Sequence, residues 1–187
     1  MSFYERYPQG KIMKKGSVLI SSSMLLLSVL TTTVSISAAA DVIRHPLPNN
    51  NKFPIASAVE VPAGNSIVFQ SGTIPGPANA EAERGTPAYF GDTKAQTISV
   101  FERIKVNLKR QGMEMGDIVK LTVFLVGDPA MGGKMDFGGF MEAYTMYFGT
   151  KEQPNLPARS AVQVAGLVQP LMFVEIEAIT VRKDKMM

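Results

Sequence analysis

Two short segments near the carboxyl end constrain the fold more than any other part of this chain. Pro157-Ala-Arg-Ser-Ala-Val-Gln-Val164 and Met172-Phe-Val-Glu-Ile-Glu-Ala-Ile179 both alternate in the manner of a strand, with charge set among β-branched and apolar neighbours. In the first, Arg159 and Ala161 share a face. In the second, Phe173, Glu175 and Glu177 fall on one face, with Val174, Ile176 and Ala178 on the other. The residues between them, centred on Gly166 to Pro170, are few enough for a hairpin. On this reading an arginine and a carboxylate face one cleft from neighbouring strands. A structural ion pair is the competing account of the same pattern.

The rest of the chain supplies two helices and the remaining strands. Pro54 to Val61, the turn Pro62-Ala-Gly-Asn65 and Ser66 to Ser71 predict a first hairpin, closed by Gly72-Thr73-Ile-Pro75. Gly72 either lets a ligand approach the backbone closely or serves only the turn. Gly76 to Gly91 is a polar loop longer than most connections. Thr93-Lys-Ala-Gln96 fits a capping box, and Ile98, Phe101, Ile104 and Leu108 follow at helical spacing up to Gly112. Lys120 to Val126 reads as an apolar strand. A second helix is predicted from about Asp136, with Phe140, Ala143, Tyr144, Tyr147 and Phe148 on one stripe and Gly149 ending it. That aromatic stripe is read as core packing and not as a ligand box. Strand, strand, helix, strand, helix, strand, strand predicts an α+β fold, a mixed sheet with two helices packed on one face.

The amino end reads as an export signal. Lys14 and Lys15 form a positive start, Val18 to Leu30 an apolar core, and Ser37-Ala-Ala-Ala40 a small-residue cleavage site before Asp41. The apolar run falls short of the ~20 residues that span a bilayer. Residues 1–40 are therefore expected to be a signal peptide, 41–52 a flexible polar arm, and 53–187 a single domain; the mature protein is expected in the periplasm or secreted, with no stable membrane association. Up to Ala40 there are four basic residues (Arg6, Lys11, Lys14, Lys15) and one acidic (Glu5). Taking these from the chain's 19 basic and 16 acidic residues leaves fifteen of each, so the net charge of +3 belongs to the leader. No surplus of phosphate-neutralising charge remains, and nucleic acid is not an expected partner. The chain has no cysteine, which excludes disulfides, thiol catalysis and lipoprotein attachment. Its one histidine, His45, lies in the polar arm without ligand-spaced neighbours, so neither a metal site nor a Ser-His-Asp triad is expected.

Several of these pieces together resemble one known family. The closing run Leu156-Pro-Ala-Arg159-Ser with Val174-Glu-Ile-Glu-Ala-Ile179 is similar to the closing motif of the RidA family, also called YjgF or UK114, the enamine/imine deaminases. Ser71 to Pro75, Gly116-Asp-Ile-Val-Lys-Leu-Thr-Val-Phe124 and the helix Phe137 to Phe148 match the same family in order. The resemblance covers roughly Phe53 to Arg182. It implies a chorismate-mutase-like fold, a homotrimer with a cleft between adjacent subunits, no cofactor, and an imino or enamino acid as substrate. It further implies that Arg159 holds the substrate carboxylate and that Glu175 positions or activates a water. Gly72 and Thr73 would present main-chain groups to the ligand. Ile55 stands where family deaminases often carry a tyrosine, Met141 where they often carry an asparagine, and Ala161 at a frequent cysteine. Two consequences compete: a pocket for a bulkier, more apolar imino acid, or a trimeric binding protein for small carboxylates or metabolites without turnover.

Overall fold

The computed structural model describes residues 40–183 and is organised about one long central strand. The elements are β1 (Ile43–His45), β2 (Ala58–Glu60), β3 (Asn65–Thr73), a short α1 (Pro87–Phe90), α2 (Thr93–Arg110), β4 (Ile118–Asp128), β5 (Lys134–Met135), α3 (Phe137–Tyr144), β6 (Ala158–Val164) and β7 (Val174–Lys183). In β4, Leu121, Val123 and Leu125 are fully buried and alternate with partly exposed residues. A strand of this pattern has to be covered on one face and flanked on both edges. β7 lies antiparallel along one edge of β4 and β6 parallel along the other, so the order across the sheet is β3, β7, β4, β6. β5 pairs with the end of β4 through Gly127 and Met135.

This pairing corrects the expected hairpin of the last two strands. β6 and β7 are separated by β4, and the loop between them crosses from one of its edges to the other. The alternation identified both strands and their faces, but periodicity does not name a strand's neighbour. The first hairpin differs as well. β2 pairs with β1, whereas β3 pairs with β7. The segment read as an exposed polar arm thus holds a strand. The Arg44 guanidinium from it donates to the carbonyls of Gly116, Ile118 and Leu156 at 2.9, 3.0 and 2.8 Å. Burial lowers the Arg44 pKa, and the nearby Asp117 carboxylate works in the opposite direction.

One face of the sheet forms the core. Val100, Phe101, Ile104 and Leu108 of α2 and Phe140 and Tyr144 of α3 join Leu121, Val123, Leu125, Ile176 and Ala178 in a single cluster. Each large side chain so enclosed contributes about 1.5–3 kcal/mol of burial. Phe148 stacks on Tyr144 with centroids 4.9 Å apart, although α3 itself ends at Tyr144, earlier than the aromatic stripe suggested. The cap of α2 also differs from the expected box. Asp92 accepts from the Ala95 amide at 2.8 Å, a carboxylate at the positive end of a helix. Gln96, fully buried, instead reaches across to the carbonyls of Gly91 and Leu171 and accepts from the Phe173 amide.

Among the described residues no helix packs on the other face. Ile67, Phe69 and Val162 stand on it with 51, 77 and 45 % of their surface exposed. No helix among the described residues is long and apolar enough to cross a membrane. The expected signal peptide falls, but for Ala40, outside the described residues.

Candidate functional site

Strand register separates the two principal candidates. On β4, Arg159 lies opposite Leu121 and Glu175 opposite Phe124. The two positions are an odd number of residues apart, so Arg159 points to the helix-covered face and Glu175 to the open one. The expectation that both face one cleft from adjacent strands of one chain is therefore overturned. The candidate residues fall into two half-sites.

The first half-site is built around Arg159. α3 brings Met141 to it, with the thioether sulfur 3.2 Å from Nη1. Four rings surround the guanidinium carbon: Tyr144 at 4.3 Å, Phe140 at 5.1 Å, Phe53 at 5.4 Å and Phe137 at 5.7 Å, all within cation–π range. Among the described residues no carboxylate pairs with it. Burial lowers the Arg159 pKa, opposed by the Tyr144 phenol, yet an arginine keeps its charge at any ordinary pH. Tyr144 is pushed up to about 12, mostly by burial. Its hydroxyl donates to the Pro54 carbonyl at 2.8 Å. The Ala56 amide donates to the Pro157 carbonyl at 3.0 Å, and Ala56 bridges Ala158. Ile55 is thereby held between two anchored residues beside β6. Met141 and Arg159 are in contact, and Ile55 is placed only by the anchoring of its two neighbours.

The second half-site forms where β3 meets β7. The register of β3 slips between Gln70 and Thr73, a bulge that sets Ser71 and Gly72 out of the regular ladder. A Cβ placed on Gly72 would overlap the Glu175 carboxylate. Glycine thus leaves room for the Glu175 carboxylate in its present position, a use that neither of the two sequence-based accounts of this residue stated. Thr73 follows, its backbone paired with Ile176. A cavity of about 340 Å³ lies between this bulge and the α2 residues Ile104, Asn107 and Gln111, and Glu175 is not part of its lining. Glu177, two residues on, lies opposite Thr122 and is exposed.

Sequence reasoning missed the ring of Phe53, Phe137, Phe140 and Tyr144 as surroundings of the arginine. The aromatic stripe of α3 was visible and was assigned to the core, where Phe140 and Tyr144 do lie with no exposed surface. Their ring faces serve the core and the cation together. Phe53 gave no signal, since only the tertiary path of residues 53–57 brings it over β6. Among the described residues no cluster of three or more His, Asp or Glu could hold a metal.

Residues 51–182, which contain both half-sites, match the family model described as Endoribonuclease L-PSP. The chain belongs to this family, the group also called RidA or YjgF. A RutC family protein of Haemophilus influenzae is 38% identical over 131 residues, covering 70% of this chain and 88% of its own. The 2-iminobutanoate/2-iminopropanoate deaminase of Salmonella typhimurium is 36% identical over 118 residues, 63% of this chain and 81% of its own. The enzyme of the same name from Escherichia coli K12 is 36% identical over 124 residues, with 66% and 84% covered. A solved Rid-family protein of unknown function from Yersinia pestis shares the fold with a TM-score of 0.55 over 73% of this chain and 96% of its own, at 23% identity. This RidA-family chain therefore has the expected α+β architecture, and its Arg159 and Glu175 half-sites stand back to back on one sheet.

Proposed function

We propose that this protein hydrolyses reactive 2-imino and 2-enamino acids to 2-oxo acids and ammonia. One observation carries the reading: Arg159 is a partly buried cation ringed by Phe53, Phe137, Phe140 and Tyr144, with no carboxylate paired to it among the described residues. Such a group gains most from an anion that enters with the ligand, and a guanidinium fork can take both oxygens of a carboxylate. Glu175 supplies the chemistry. Its carboxylate accepts a proton from a water whose oxygen adds to the imine carbon and passes that proton to nitrogen; it then takes the remaining hydroxyl proton as the carbonyl forms and delivers it to nitrogen as the carbon–nitrogen bond breaks, so that the 2-oxo acid and ammonia leave. The family relationship to named deaminases supports the reaction class; the residue roles are the proposal.

Because the half-sites occupy opposite faces, a single chain cannot complete this site. We infer a homotrimer in which Arg159 of one copy meets Glu175 of the next. The exposed Ile67, Phe69 and Val162 on the helix-free face suit such an assembly. Export to the periplasm or beyond is part of the same proposal and rests on the leader pattern; sequencing the amino end of protein recovered from cell fractions should begin at Asp41. Nucleic acid is left out of it, since the chain beyond Ala40 has no excess positive charge.

The deciding assay generates imines in place with an amino-acid oxidase and follows their decay with and without purified protein. Acceleration lost in both Arg159→Ala and Glu175→Ala supports hydrolysis. A second reading, a binding protein for small carboxylates without turnover, is favoured by the apolar Met141 and the rings around the arginine. It predicts no acceleration and carboxylate binding that still depends on Arg159.

A further inference from the structure

We propose that the Arg159 half-site selects ligands whose side chain is unfunctionalised and apolar, whether branched aliphatic, thioether or aromatic, over acidic or very small ones. The inference rests on the carboxylate role given to Arg159 above. The groups beside the guanidinium that retain exposed surface are Phe53, 39 % exposed, and the partly exposed Phe137 and Met141. None of the three offers a hydrogen-bond donor, and the only acceptor is the weak thioether sulfur, already turned to Arg159 at 3.2 Å. A ligand whose carboxylate lies on Arg159 therefore has hydrocarbon, sulfur and aromatic surface beside it on this chain's side of the shared site, the Glu175 of the next copy facing its imine carbon. A second carboxylate or an amide there would lose water without gaining a partner. An apolar side chain would cover Phe53 and Phe137 and release water from them.

The wall is fixed and not a flap. Tyr144 holds the Pro54 carbonyl, Ala56 is bonded to Pro157, and Ser57 Oγ donates to the carbonyls of His45 and Pro46 at 3.1 and 2.9 Å. Arg44, one residue before His45, is bound to three carbonyls of the domain body. Residues 53–57 are thus tied at several points, and a wall already in place spends little binding free energy on ordering. Selectivity then follows from the chemistry of the lining.

Four 2-oxo acids test this by titration calorimetry on the full assembly: 4-methyl-2-oxopentanoate and phenylpyruvate against pyruvate and 2-oxoglutarate. The first pair should bind about tenfold or more tightly than the second, the discrimination expected of an apolar pocket. Phe53→Ser and Met141→Asn should each shrink that ratio, and Arg159→Ala should weaken all four. Binding without preference, or a ratio untouched by both lining variants, overturns the inference alone. A preference without any acceleration of imine decay overturns only the hydrolytic reading. If none of the four binds, the carboxylate role of Arg159 and this inference fall together.

Discussion

The two half-sites differ in nearly every physical respect. Arg159 lies among rings on the covered face, partly buried and without a paired carboxylate among the described residues. Glu175 stands on the open face, over a glycine that makes room for it. On the proposed reading the first would hold an anion in one orientation, while the second keeps a partly exposed carboxylate. Placing them on opposite faces of one sheet keeps an arginine and a glutamate of the same chain from neutralising each other. In the proposed assembly, each would be completed by another copy and a ligand.

That contrast is most severely tested by mixing. Glu175→Ala should lower the rate of imine hydrolysis by about 10²–10⁴, the usual worth of a positioned acid–base group. Arg159→Ala should lower kcat/KM by about 10²-fold or more, as two charge-assisted hydrogen bonds to the ligand are lost. Chains carrying one substitution each, co-expressed and purified as mixed assemblies, should recover activity at about a quarter of the sites by chance pairing at each interface. No recovery would mean that both groups act within one chain, and the back-to-back description would have to go.

Gly72→Ala sharpens the other half of the contrast. Only the mobile end of Glu175 stands in the way of the new methyl, so folding should be affected by less than about 1 kcal/mol. The carboxylate, however, must move, and kcat should fall about tenfold with KM nearly unchanged. A rise in KM with kcat intact would place Gly72 in ligand binding instead.

Arg159→Met probes whether the arginine is held at a cost. Removing a desolvated cation and leaving an apolar chain of similar length should leave Tm unchanged or raise it, while carboxylate binding disappears. A marked loss of Tm would make Arg159 a structural element of the core.

The smallest effect concerns the wall. Tyr144→Phe should cost about 1 kcal/mol through the lost bond to Pro54. It should also alter the alkaline limb of stability. The folded phenol titrates at about 12, above its ordinary value of 10.0, so its stabilisation is complete below pH 10 and is lost as pH rises toward 12. Chemical unfolding across that range should show a shallower fall in the variant than in the parent. Tyr147, also raised by burial and its bond to Glu102, keeps its own share of the slope in both.

How much of this was legible follows from what periodicity encodes. Alternation at residues 158–164 and 174–179 gave both strands and the faces of Arg159 and Glu175 along each, because side chains on a strand repeat every two residues. It could not give the insertion of β4 between them, which depends on an 11-residue strand whose alternate side chains are all buried. A local box at Thr93 and Gln96 was plausible by spacing; Asp92 displaced it, and Gln96 served a loop 75 residues away. The space beneath Glu175 at Gly72 and the arrival of Phe53 over Arg159 are relations between distant segments, and no short window of sequence contains them.

Arg44 sets a limit of its own. Its three carbonyl partners lie at residues 116, 118 and 156, so the first strand is fastened to the body by a side chain only a few positions after Asp41. Shortening the amino end as far as Asp41 leaves that fastening whole. A protease that cuts four residues further in removes it, and with it a tie that reaches residues 116, 118 and 156; the residue at which the amino end begins would then set how firmly the first strand is held.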